Sequence, residues 1–160
     1  MTMTEILLLL YAVMLGTTFG AGLYEARIVI PFWFPQRPDK SYVADFDNQR
    51  KIDSGREFWG MITTGPLSLL TLANLYFAFN SRGAIQIWWL TASLIVLIER
   101  IITFSFFVPT LMKLRKNEDF PDREVDSLIF WWVRLNYLRN VSTLIALVFI
   151  LRALTLTECA

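Results

Sequence analysis

The chain has 160 residues, 55% of them hydrophobic and 18% charged, with a mean hydropathy of +0.47. Soluble domains carry about a quarter charged residues, so this composition points to lipid as the solvent. A net charge of +1 gives no electrostatic case for a nucleic-acid partner. The chain has no histidine, which excludes His-ligated haem, His-bearing zinc or copper sites, carboxylate–His di-iron centres and His-based triads. The one cysteine, Cys159, forms neither an internal disulfide nor a thiolate cluster. The expectation is a protein with no metal and no cofactor.

A helix crosses a bilayer with roughly 20 apolar residues. Residues 6–34, 58–79, 84–114 and 128–154 meet that length. They predict an all-α, integral membrane four-helix bundle forming a single domain over residues 1–160, with connections at 35–57 and 115–127.

The first span has no basic leader, since Glu5 is its only early charge, and it is too long for a signal peptide. Ala12, Gly16 and Gly20 recur every four residues, a small-residue ridge expected to let helices approach closely. Pro35 and Pro38 end this span. In the connection that follows, Ser41 is expected to cap a short helix carrying Tyr42, Phe46 and Ile52 near the membrane surface. Asp45, Asp47 and Asp53 there read as solvated acids balancing basic neighbours rather than a cation site. Gly65-Pro66 interrupts the second span, where Thr63, Thr64, Ser68 and Thr71 offer hydroxyls to the freed backbone groups.

Lys and Arg outside the spans set the orientation. Arg37, Lys40, Arg50, Lys51 and Arg56 lie in the first long connection, and Lys113, Arg115, Lys116 and Arg123 in the second or at the span end beside it, against Arg82 and Arg152 toward the other side. This places both long connections in the cytoplasm and both termini outside, in an inner or plasma membrane. Trp33, Trp59, Trp131 and Trp132 are expected to form the belt at the long-connection end, with Trp88 and Trp89 opposite.

The halves echo each other. Glu25/Glu99 and Pro35/Pro109 share an offset of 74 residues, while Asp53-Ser54/Asp126-Ser127 and Trp59/Trp132 are 73 apart. Two helical hairpins related as a parallel repeat would build a site at their junction.

Glu25, Arg27, Glu99, Arg100, Arg134 and Arg139 fall at membrane depth or close to its edge. A charge at the bilayer centre costs roughly 3 kcal/mol on insertion scales, so these groups need partners. Trp132, Asn136, Arg139, Asn140 and Thr143 share one face of the fourth span. Thr18, Ala21, Gly22 and Glu25 share one on the first, and Glu99, Thr103 and Phe106 one on the third. These stripes converge on a cavity, with Phe32, Trp33, Phe104, Phe107 and Trp131 at its mouth. Arg134 points away and snorkels. Glu25, Glu99 and Arg139 are the expected catalytic groups, and Asn136, Trp132, Arg100, Arg27, Asn140 and Thr103 the expected substrate contacts. Glu25–Arg139 and Glu99–Arg100 are the expected ion pairs.

The run from Gly20 to Glu25 through Pro31, the Phe107-Val108-Pro109-Thr110 turn, and Trp132-x3-Asn136-x2-Arg139 together resemble the anthrone oxygenase-like proteins. These are small four-helix membrane proteins, some linked to oxidation of anthrones to anthraquinones without a known metal or flavin. The resemblance carries over Glu25, Pro109, Trp132, Asn136 and Arg139. The chain departs from it at Thr110-Leu111, where an Asn-containing pair is common, and at Asn136, where His often stands. It implies an oxidoreductase acting on a lipophilic aromatic such as an anthrone, hydroquinone or polycyclic phenol. In that reading a carboxylate is the base and Arg139 and Asn136 stabilise an enolate. The expected partners are that lipophilic small molecule, membrane lipid, and a further copy of the chain or a larger membrane complex. The alternatives are a non-catalytic subunit or assembly factor, a lipid or pigment binder, or a small transporter.

Overall fold

The structure, a computed structural model, describes residues 2–51, 55–116 and 122–157. Ile52, Asp53, Ser54 and Cys159 lie outside the described residues. Four helices are long and apolar enough to cross a membrane: Met3–Trp33, Phe58–Asn80, Ala84–Leu114 and Glu124–Thr157. The described residues contain no β-strand beyond one isolated bridge, Gln36 to Tyr42. The chain is an all-α membrane bundle.

The first span starts at a reciprocal cap, where Thr2 and Glu5 each accept the other's backbone N–H. The spans pack around two clusters. Leu8, Tyr11, Leu15, Leu67, Trp89, Val96 and Ile150 form the core at the end carrying the termini. Trp33, Phe34, Phe107, Leu114, Ile129 and Trp132 form the core at the end carrying the long connections. Three of the tryptophans expected in interfacial belts are therefore core residues: Trp33, Trp89 and Trp132 are buried, while Trp131 is exposed. Each follows its helix face. The Trp89 indole donates to Asn74 Oδ1 at 2.9 Å, so its polar edge needs no water.

Close helix approach occurs at Gly22, not along the expected ridge. A Cβ at Gly22 would overlap the Asn140 carboxamide, whereas one at Gly16 or Gly20 would meet nothing within 4 Å. Gly16 and Gly20 lie on the outer side of the first span, where no neighbouring helix comes near.

Three spans share one irregularity. π-helical turns occupy Glu25–Val29, Gly55–Thr64 and Thr103–Phe107, and each ends two residues before a proline: Pro31, Pro66 and Pro109. Proline lacks an N–H, and its ring collides with the carbonyl four residues back. A wider turn relieves that collision. The N–H of Ile30 bonds the Glu25 carbonyl and that of Val108 the Thr103 carbonyl, each five residues back. The geometry thus matches Pro109 to Pro31, inside helices, whereas Pro35 follows the helix end. The Pro35/Pro109 correspondence in the sequence repeat has no structural counterpart.

After the first span the chain folds back on itself. Val43 N–H donates to the Pro35 carbonyl at 3.1 Å, Asp45 N–H to Trp33 at 2.9 Å, and Lys40 turns with φ of 68°. Ser41 caps no helix. Its hydroxyl donates to Asp39 Oδ1 at 2.7 Å and holds that exposed carboxyl below its ordinary range. The short helix Phe46–Lys51 is capped instead by Asp45, which accepts from Asn48 N–H at 2.9 Å. The Tyr42 N–H donates to Asp126 at 2.6 Å, docking the connection on the start of the fourth span.

Candidate functional site

At the long-connection half of the bundle the spans line a half-open cavity of about 740 Å³. That lies within the roughly 300–1,000 Å³ of pockets that hold small organic ligands. All four spans line it: Glu25 and Trp33 from the first; Trp59, Gly60, Thr64, Gly65, Ser68 and Leu69 from the second; Arg100, Thr103, Phe104, Phe107, Val108, Leu111 and Met112 from the third; Trp132 and Arg139 from the fourth. The three π turns meet here, contributing Glu25, Trp59 and Thr103. Single π turns recur at functional sites because they re-aim the side chains that follow.

Glu25 is buried and bound on both oxygens. Oε1 accepts from the Trp59 indole at 2.8 Å, and Oε2 pairs with Arg139 Nη2 at 3.4 Å. The Arg139 guanidinium lies against two rings, 5.1 Å from the Trp59 centroid and 4.8 Å from that of Phe107. One carboxylate thus ties three spans together. Phe107 and Phe34 pack edge-on to Trp132 at 5.6 and 5.7 Å, giving the cavity an aromatic floor.

Glu99 is differently placed. It is buried, but absent from the cavity wall. Its carboxylate accepts from the hydroxyls of Ser142 and Thr143, the latter at 3.0 Å, and its backbone carbonyl accepts from Thr103 at 2.7 Å. Arg100 approaches it to 3.9 Å, at the edge of an ion pair, because neighbouring residues on a helix do not face each other.

Of the nine residues expected at the site, five line the cavity: Glu25, Arg100, Thr103, Trp132 and Arg139. Arg27 does not join them. It is exposed on the outer face, since two residues beyond Glu25 the helix has turned through nearly half a circle. Asn136 and Asn140 are buried in the bundle without reaching the wall. Neither amide atom of Asn136 has a partner among the described residues, and Asn140 packs on Gly22. The expected mouth residues divide likewise: Trp33, Phe104 and Phe107 line the cavity, whereas Phe32 and Trp131 face outward. Arg134 is exposed and stacks on Phe130 at 4.1 Å.

Sequence reasoning missed Trp59 as a carboxylate ligand and Ser142 as the partner of Glu99. An indole at a span end carries the pattern of an interfacial anchor, and nothing local distinguishes the two roles. Among the described residues, no three His, Cys, Asp or Glu side chains are grouped to hold a metal.

Residues 56–149 match the family model described as anthrone oxygenase. No curated protein and no solved structure matches the chain.

Proposed function

This chain belongs to the anthrone oxygenase family, and from that premise we propose that its cavity binds a lipophilic hydroxylated aromatic and oxidises it with dioxygen. The observation that carries the reading is a buried carboxylate, Glu25, on the wall of a mainly apolar cavity at membrane depth, with five aromatic rings and two guanidinium groups on the same wall.

The chemistry asks little of the protein. An anthrone carries an acidic CH2 between two rings. A carboxylate has about four lone-pair sites, and two on Glu25 are occupied, so one that remains can take the proton. The resulting enolate is electron-rich and passes an electron to dioxygen. Recombination forms a C–O bond, the Glu25 carboxyl returns its proton to the peroxide anion, and loss of water from the hydroperoxide leaves a ketone. One anthrone and one dioxygen thus give one anthraquinone and one water. Arg100 compensates the negative charge on the enolate oxygen as it develops. Trp33, Phe107 and Trp132 hold the rings and exclude water.

Glu99 acts at one remove in this reading, as a positioning group behind Arg100 and Thr103. The excess of Lys and Arg in the long connections supports a cytoplasmic position for this half of the bundle.

Engagement of both Glu25 oxygens favours a second reading, an amphiphile binder without chemistry, in which the carboxylate serves only to join helices. Turnover separates the two. In nanodiscs, the wild-type protein should accelerate conversion of a hydroxylated anthrone above the protein-free rate. A general base contributes about 100-fold or more, so Glu25→Gln should lose most of that acceleration. Rates at the protein-free level for both proteins, with probe binding intact, would leave only the binder.

A further inference from the structure

The two cavity arginines are not equivalent. Arg139 has an ion pair with Glu25 and two aromatic rings within cation–π distance. Arg100, only 5% exposed, donates no hydrogen bond among the described residues, and its buried Nε has no partner. Its nearest carboxylate, 3.9 Å away, already accepts from Ser142 and Thr143. A guanidinium carries five N–H donors in a rigid fork, and a desolvated cation without acceptors is costly. The polar interior thus holds one arginine whose donors are unspent, and that arginine lies on the cavity wall.

Part of the cavity wall is apolar, and that part also belongs to the outer surface of the bundle. Leu69, Phe104, Val108 and Met112 line the cavity while being 72%, 54%, 41% and 52% exposed. In a membrane bundle that exposure faces hydrocarbon. The cavity is half-open, and wall residues of the second and third spans are shared with the bundle surface.

We infer that Arg100 is the seat for an anionic oxygen, carried by an amphiphile that reaches the cavity from the lipid between the second and third spans. The inference rests on the lipophilic-aromatic reading above and makes it more specific: the ligand presents a phenolate or enolate oxygen to Arg100, and its apolar body lies along Leu69, Phe104 and Met112. A fatty-acid carboxylate shares the head chemistry, so the test includes one.

Binding is measured in nanodiscs by quenching of the cavity tryptophans, with 1,2-dihydroxyanthraquinone, whose 2-hydroxyl ionises near neutral pH, anthracene and oleate as probes. The hydroxylated probe should bind the wild type, lose at least tenfold in affinity in Arg100→Gln and regain part of it in Arg100→Lys. Anthracene, with no oxygen, should bind all three proteins alike, which also shows that the variants fold. Undiminished binding of the dihydroxy probe to Arg100→Gln would overturn the inference. Arg100-dependent binding of oleate alone would keep the anion seat and overturn the aromatic reading. Failure of every probe to bind the wild type would overturn both. Val108→Trp should slow association from the lipid several-fold, and an unchanged rate would contradict the lateral route.

Discussion

The Trp59 indole donates a 2.8 Å hydrogen bond to Glu25 Oε1, across 34 positions of sequence. It joins the second span to the first at the level of the cavity, and the same ring supports the Arg139 guanidinium. A hydrogen bond to a charged group contributes about 1.5–3 kcal/mol. Trp59→Phe keeps the ring and removes the donor, so it should lower stability by that amount, read as thermal unfolding in detergent. Unchanged stability would mean the bond is not made.

The Glu25–Arg139 pair should behave as a unit. Breaking a buried pair on one side strands a charge and costs about 3–5 kcal/mol. Glu25→Gln and Arg139→Gln should each destabilise on that scale, and the double variant by clearly less than their sum. A double-mutant cycle measures the coupling, and additive effects would deny the pairing.

Glycine substitutions separate the two sides of the first span. Gly22→Ala drives a methyl into the Asn140 carboxamide and should cost about 1–3 kcal/mol, as overpacking does. Gly20→Ala meets open space and should be neutral or stabilise by about 0.5–1 kcal/mol through helix propensity. Unfolding midpoints of the two variants should move apart, and a shared shift would contradict the packing.

Pro31 and Pro109 each follow a π turn that positions cavity residues. Replacing either by alanine restores a backbone donor and removes the ring collision, so the turn can tighten to α-helical spacing. Stability should hold or rise while affinity for a hydroxylated aromatic probe falls several-fold. Equal affinity would show that the turns do not set the site.

The spans were readable because twenty or more apolar residues in sequence have few alternatives to crossing a bilayer. The Glu25–Arg139 pair was readable for a related reason: few charges lie at depth, and each needs a partner. What escaped the sequence depends on rotation about helix axes. Arg27 stands two residues from Glu25 yet faces outward, and Glu99 sits behind the cavity wall while Arg100 lies on it. Spacing gives the angle between two side chains on a helix, but not which of them faces the neighbouring spans. Gly16 and Gly20 form a ridge by spacing alone, but spacing does not say whether a neighbouring helix lies against it. Ser41 has the residue type of a cap, but Asp45 holds the capping position because the chain first folds back against Trp33.

The most direct test of the proposed oxidation follows the oxygen atoms. Purified protein in nanodiscs is given a hydroxylated anthrone under isotopically heavy dioxygen, and the product is weighed by mass spectrometry. The mechanism predicts an anthraquinone with one heavy oxygen, formed faster than in empty nanodiscs and at the empty-nanodisc rate in Glu25→Gln. Product formed no faster with the wild type than with empty nanodiscs, or without the heavy atom, would contradict it.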